Sequence, residues 1–368
     1  TTLKLDLLLK YCPIHYLNQM NEYIQLLQKL ISTQSFSGEE GNAAQVIQSF
    51  LNAKSISFHE KGNNTWAKNK FWKEGLPVVL LNSHIDTVKP ARGYTRDPFL
   101  PTIEDGKLYG LGSNDAGGAL VSLLAVFVHF YEKEELPFNL IFAASSEEEI
   151  SGFNGIESIL SEIGPIDLAI VGEPTLMQMA IAEKGLMVLD CTAYGRSGHA
   201  ARNEGINAIY KAIGDIEILR NYKFEKSSDL LGEVKMTVSM VNAGTQHNVV
   251  PDRCSFVVDV RTNEYYSNEE ACHIISSLIE SEVKPRSFRL NSSGIPVSHP
   301  IVQRGLKLGL TCYGSPTTSD QAVMPYMSIK IGPGDSARSH TADEFIYLRE
   351  IEEAFGIYIN LLNDLHVK

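Results

Sequence analysis

The sequence predicts an α/β protein: a mostly parallel sheet with helices on both faces, interrupted by a smaller α+β insert. Three observations predict it. Between residues 77 and 173 short apolar runs alternate with helical periodicity, the βαβ rhythm of a parallel sheet. The runs are apolar nearly throughout, as in Val78-Val79-Leu80-Leu81, which suits strands covered on both faces. From about residue 180 the order becomes βαββαβ, the ferredoxin-like arrangement.

Taken in order, helical periodicity covers 16–31 and 40–53. Strand 77–84, helix 116–131, strand 138–145, helix 155–163 and strand 167–173 then follow. The insert reads as strand 186–194, helix 206–220, strands 233–242 and 254–261, helix 269–280 and strand 286–291. A helix at 301–310, a strand at 328–332 and a closing helix at 348–362 complete the chain. At 368 residues two domains are expected, and we place them at 1–179 with 293–368, and at 180–292.

Hydrophobic residues make up 43% and charged residues 21%, the balance of a globular protein. A net charge of -12 argues against nucleic acid or an anionic membrane as partner. The longest apolar run, 119–130, is broken by Ser122 and His129 and is too short to span a bilayer. No basic start with an apolar stretch and small-residue cleavage site opens the chain, so no signal peptide is expected. The five cysteines, Cys12, Cys191, Cys254, Cys272 and Cys312, are scattered and contain no C-x-x-C pair. Reduced cytoplasmic thiols are the expectation, not a disulfide frame or thiolate metal site.

Five acidic or imidazole clusters punctuate these elements: Ser83-His84-Ile85-Asp86, Ser113-Asn114-Asp115, Glu147-Glu148-Glu149, Gly172-Glu173-Pro174-Thr175 and Ser339-His340-Thr341. In open α/β sheets ligands gather beyond the carboxyl ends of strands, where His84, the acidic triplet and Glu173 fall. His84 and Asp86 lie two apart at a strand exit, so both side chains leave on one side. Imidazole is a good zinc ligand and a nearby carboxylate commonly holds its far nitrogen; the bland alternative is a polar strand end. Asp115, at the entry of an apolar helix, reads as an N-cap or as a carboxylate bridging two metals, and both can hold at once. The triplet is either a solvated charge run or a cation site, one carboxylate holding metal while a neighbour takes a proton from water. Alone, Glu173 is an ordinary acidic strand end and His340 a surface histidine. Together, in this order, the clusters read as a two-metal hydrolase site.

With these residues the chain resembles the two-zinc aminoacylase/carboxypeptidase metallohydrolases. That family includes acetylornithine deacetylase, succinyl-diaminopimelate desuccinylase, aminoacylase and several di- and tripeptidases. The likeness runs from about residue 15 to the end. It rests on His84-x-Asp86, Gly110-Leu-Gly-Ser-Asn-Asp115, the triplet with Gly152 and Gly155 after it, Gly172-Glu-Pro-Thr175, Gly195-Arg-Ser-Gly-His199-Ala, Asn248-Val-Val-Pro251 and His340-Thr.

The resemblance implies a zinc-hydrolase sheet with an inserted dimerisation or lid domain, and two zinc ions in a site that cobalt or manganese can also occupy. By it, one zinc takes His84 and Glu173, the other takes Glu149 and His340, and Asp115 bridges them. Asp86 orients His84, and Glu148 is the general base. The family usually shows Asp-Glu-Glu where this chain has Ser-Glu-Glu-Glu. Counting back from Gly152 and Gly155 gives base and ligand at Glu148 and Glu149; counting forward from the strand gives Glu147 and Glu148. We adopt the first.

By the same resemblance the chain forms a homodimer in which His199 reaches the neighbouring active site and stabilises the oxyanion. Asn248 and Arg261 match contacts to a substrate carboxylate, though Arg261 reads equally as an exposed strand-end cation. The reaction implied is removal of the acyl group from a small N-acyl-L-amino acid. N-acetyl-L-ornithine of arginine biosynthesis comes first, with acetylcitrulline or succinylornithine beside it. The alternatives are succinyl-diaminopimelate desuccinylase, a di- or tripeptidase and, more distantly, a metal-binding homologue without catalysis. A nucleotide-binding α/β protein is disfavoured, because no phosphate loop follows the first strand.

Overall fold

A computed structural model describes residues 14–367, with side chains from Met20 onward. The described chain forms two compact units. One runs to Ile181 and resumes at Ile295–Tyr313 and from Ser319 on; the other is Ala182–Gly294 with Gly314–Thr318. The short stretch Gly314–Thr318 thus belongs with the second unit.

In the first unit, helices α1 (Ile14–Ile31) and α2 (Gly41–Ala53) precede the hairpin β1 (His59–Lys61) and β2 (Asn64–Lys68). Then come β3 (Val78–His84), α3 (Gly118–Tyr131), β4 (Asn139–Ser145), β5 (Leu168–Val171) and β6 (Met179–Glu183). After the second unit the chain returns with helix Pro300–Lys307, strand Ser328–Lys330 and helix Leu348–Leu362. The sheet order is β1-β2-β4-β3-β5, then Ser328–Lys330, then β6. β3 runs parallel to both β4 and β5, and Ser328–Lys330 runs parallel to β5.

The apolar runs have a direct cause. Every residue of β3 and β4 is buried, and alternate side chains enter different cores. Val79 and Leu81 join α1, α2, α3 and the closing helix; Val78 and Leu80 join Trp66, Ile156 and Ile159 on the other face. The stretch Ser113–Tyr131 is apolar enough to cross a membrane by composition, but 83% of that window is buried in the protein, so it is a core helix. From β3 the chain steps to β4 on one side and later to β5 on the other. That reversal opens a crevice at the carboxyl ends of these strands.

In the second unit, β7 (Met187–Tyr194), α4 (Ala208–Asn221), β8 (Lys235–Ala243), β9 (Arg253–Arg261), α5 (Asn268–Leu278) and β10 (Glu282–Pro285) follow in βαββαβ order. The antiparallel sheet runs β8-β9-β7-β10 around its own core of Leu189, Cys191, Phe256, Val258 and Ile275. A capping box between Ser267 and Glu270 starts α5.

The expected strand at 286–291 is displaced. The strand is Glu282–Pro285, which pairs with β7 from Thr192 to Leu189. Pro285 is tolerated because β10 is an edge strand. Beyond it the buried amide of Asn268 donates to the carbonyls of Phe288 and Leu290, which holds 286–291 as a loop.

Candidate metal centre

β3 delivers His84 to the crevice, where it is buried. Its Nδ1 lies 2.9 Å from the carbonyl oxygen of Asp86 and 3.5 Å from Asp86 Oδ1. A carbonyl only accepts, so Nδ1 carries a proton and Nε2 is the nitrogen turned to the carboxylates. That Nε2 is buried and has no hydrogen-bond partner. Asp115, Glu173 and Glu148 oxygens surround it at 3.4, 3.8 and 4.0 Å. A second imidazole faces the same group: His340 Nε2 lies 3.0 Å from Glu149 Oε2 and 3.8 Å from Asp115 Oδ2. Asp115 therefore turns one oxygen towards each histidine.

Three loops place these groups, and buried acceptors hold their backbones. Glu147 adopts a positive φ of 55° and folds back, accepting from the amide N–H of Asn154 at 3.1 Å and from its Nδ2 at 2.9 Å. A Cβ on Gly152 would run into that carboxylate, so glycine is required there. The next two amides, of Glu148 and Glu149, donate to Asp86 Oδ1 and Oδ2 at 3.0 and 3.1 Å. Ser37 Oγ completes the Asp86 shell at 2.7 Å. Glu148 and Glu149 are thus the two members of the triplet that face the histidines.

Asp115 does not cap α3. The N-cap position is Gly117, with no side-chain cap, and the Asp115 carboxylate turns to the histidines instead. The N-cap reading of Asp115 is corrected accordingly. The preceding turn needs Gly112 in the left-handed region at φ 76°, where a Cβ would also press on Thr87. Asn114 joins this loop to the one before His340, exchanging hydrogen bonds at 3.0 Å with the backbone of Asp335.

Sequence reasoning missed Glu40, Asp320 and Glu344. Glu40 accepts from the Glu147 amide at 3.1 Å. Asp320 is buried and accepts from Asn82 Nδ2 at 2.8 Å and Ser145 Oγ at 2.7 Å, one partner from β3 and one from β4. Glu344 accepts from three backbone amides beside Asp115. None of the three follows a strand, so no periodicity marks them.

The electrostatics call for a cation. Burial pushes the Glu173 carboxyl up to about 8, with Asp115 adding to the rise and His84 and Lys330 opposing it. Burial, and then Glu173, push Glu148 well above the usual carboxylate range. Asp115 goes the other way: burial opposes its ionised form, but His84 and His340 outweigh that and hold its pKa low. Asp86 is likewise held low against burial, by His84 and Ser37. Four carboxylates around two imidazoles cannot all stay ionised without positive charge. His84, Glu148 and Glu173 offer ligand atoms within 4.8 Å of one another, and so do His84, Asp115 and Glu149. An orphaned imidazole nitrogen inside an oxygen-rich cage fits divalent cations of the zinc, cobalt or manganese type.

The remaining predicted residues lie in the second unit. His199 is exposed on a two-residue strand paired with Val249–Val250, and its Nδ1 accepts from the Ala201 amide at 3.2 Å. The Asn248 carbonyl accepts from the amide of Ala200 at 3.0 Å, so the structure brings His199 and Asn248 together. Arg261 grips Asp259 with Nε and Nη2, at 2.8 and 3.1 Å, and Nη1 reaches Thr318 at 3.4 Å.

A family model, Peptidase family M20/M25/M40, matches residues 80–364. The chain is 28% identical over 358 residues to an acetylornithine deacetylase of Pectobacterium carotovorum subsp. carotovorum (strain PC1), covering 88% of this chain and 92% of that one. It is 26% identical over 384 residues to a succinyl-diaminopimelate desuccinylase of Helicobacter pylori (strain HPAG1), covering 94% and 99%. In fold it is similar to a Bacillus subtilis protein described as a dinuclear metal-binding peptidase of the M20 family. That match has a TM-score of 0.72 and 16% identity, and covers 93% of this chain and 97% of that one.

Proposed function

This chain belongs to peptidase family M20/M25/M40, whose members are metallohydrolases of amide bonds, and we propose that it is an N-acyl-L-amino acid deacylase working with two metal ions. The observation that carries this reading is the buried His84 Nε2, without a hydrogen-bond partner inside a cage of carboxylates. We assign His84 and Glu173 to one metal, Glu149 and His340 to the other, and Asp115 to both. Zinc is the proposed metal, with cobalt able to replace it.

When bound, the metal pair supplies Lewis acidity at the scissile carbonyl and charge to match the developing oxyanion. Distance alone does not separate Glu148 from the ligands. We assign it as general base on the resemblance, which gives that role to the residue just before the metal ligand Glu149. In this assignment a Glu148 carboxylate oxygen accepts the proton of the attacking water and passes it to the leaving amine nitrogen. Asp86 keeps His84 Nε2 turned to the cage and, through two amides, keeps Glu148 and Glu149 beside it.

We further propose that the chain forms a homodimer in which His199 completes the oxyanion contacts of the neighbouring site. Asn248 and Arg261 would receive the substrate carboxylate. For Arg261 this means sharing its guanidinium with Asp259.

N-acetyl-L-ornithine is the proposed substrate, supported by the likeness to the Pectobacterium deacetylase across nearly the whole chain. A second reading, desuccinylation of succinyl-diaminopimelate, is favoured by the Helicobacter relative, which this chain matches over 99% of its length. The test is release of free amine from a panel of N-acetyl and N-succinyl amino acids and dipeptides by the metal-loaded chain. Hydrolysis of N-acetyl-L-ornithine above the rest supports the first reading, and preference for the succinyl compound supports the second. A chain that binds two metals and cleaves nothing in the panel contradicts both.

A further inference from the structure

Glu344 is 2% exposed and lies four residues after His340. Its Oε1 accepts from the amides of Asn114 and Asp115 at 2.8 and 2.9 Å, and its Oε2 from the amide of Gly112 at 3.1 Å. Its own carbonyl accepts from the Gly110 amide at 3.0 Å. One residue thus gathers four amides of the segment that ends in Asp115. Both carboxylate oxygens accept from backbone donors, so Glu344 acts on the backbone of this segment. An amide buried without an acceptor is costly, so these bonds fix where the segment sits.

From this juxtaposition we infer that Glu344 is a positioning residue of the metal pair, locking the His340 loop to the Asp115 loop so that Asp115 can address both sites. This inference rests on the dinuclear reading above. Its physical basis is geometric. Asp115 turns Oδ1 to His84 and Oδ2 to His340, and a small rotation of its backbone would spoil one of the two approaches. The three amides of Gly112, Asn114 and Asp115 hold that rotation, and their acceptor is on the chain segment that brings His340. Asn114, bonded to Asp335, ties the same two loops from the other side.

The test counts metal and does not require turnover. Cobalt(II) is titrated into the metal-stripped full-length chain and into Glu344→Ala and Glu344→Gln, following absorbance and confirming fold by circular dichroism. The wild-type chain should take up two equivalents. Glu344→Ala should keep the first and bind the second about 10–100-fold more weakly, the range seen when groups that orient metal ligands are removed. Glu344→Gln should fall between, because its amide oxygen still serves Asn114 and Asp115 while its NH2 cannot accept from Gly112. Two equivalents bound to a folded Glu344→Ala with wild-type affinity would overturn the inference. If Glu344→Ala does not fold, wild-type affinity for both equivalents in Glu344→Gln overturns it instead. A wild-type chain that binds fewer than two equivalents would remove the dinuclear reading itself, which the titration thereby separates from failure of Glu344.

Discussion

Glu147, Glu148 and Glu149 are neighbours in the chain with three different surroundings. Glu147 is tied to Asn154, Glu148 lies 4.0 Å from His84, and Glu149 lies 3.0 Å from His340. What separates them is the grip of Glu40 and Asp86 on their amides. Glu148→Ala should therefore keep both metals and lose about a hundredfold or more in turnover, the scale expected for a lost general base. Glu147→Ala should retain most of its turnover. Metal analysis and steady-state rates on the two variants check this; the opposite ranking would move base and ligand one residue back. Much of the site was legible because histidines and acids ending apolar strands stand out in a pattern. The register of the triplet was not, since it depends on where Asp86 meets the loop. Glu344 was not legible either: it works through backbone amides that carry no sequence signal.

At the scale of elements, β3 and β4 could be read because residues buried on both faces must be apolar throughout. β10 could not, since an edge strand buries little and its extent is set by its partner. The hairpin β1–β2 is short and was overlooked for a similar reason, β1 being exposed along its length. α3 is the element on which the first core depends. Phe127 is fully buried within it, and Phe127→Ala should lower stability by about 3–5 kcal/mol, measured by urea unfolding. The same helix carries an acid-sensitive group. Burial holds the His129 pKa down to about 4, from an ordinary value of 6.5. The unfolded chain then takes up this proton first as pH falls. The contribution of neutral His129 is complete above about pH 6.5 and is lost as pH falls towards 4. Unfolding midpoints at pH 7 and pH 4.5 should consequently differ less in His129→Phe than in the wild type. An equal acid loss in both would place the sensitivity elsewhere.

For the whole molecule, the two units divide the candidate residues. The ligand cage lies in the first, made from segments as far apart in sequence as His84 and His340, while His199, Asn248 and Arg261 lie in the second. A cage of buried carboxylates should also make fold stability metal-dependent, because a cation that binds only the folded state stabilises it by mass action. Stripping the metal should lower the melting temperature, and zinc should restore it; a melting curve indifferent to both would speak against a cation in the cage. The central claim is that this cage performs metal-dependent amide hydrolysis. It is tested most directly by the rate of amine release from the best N-acyl amino acid, measured as zinc is added to the stripped chain. The account predicts negligible release without metal and a rise that levels off at two equivalents per chain. Undiminished hydrolysis by the stripped chain would contradict it.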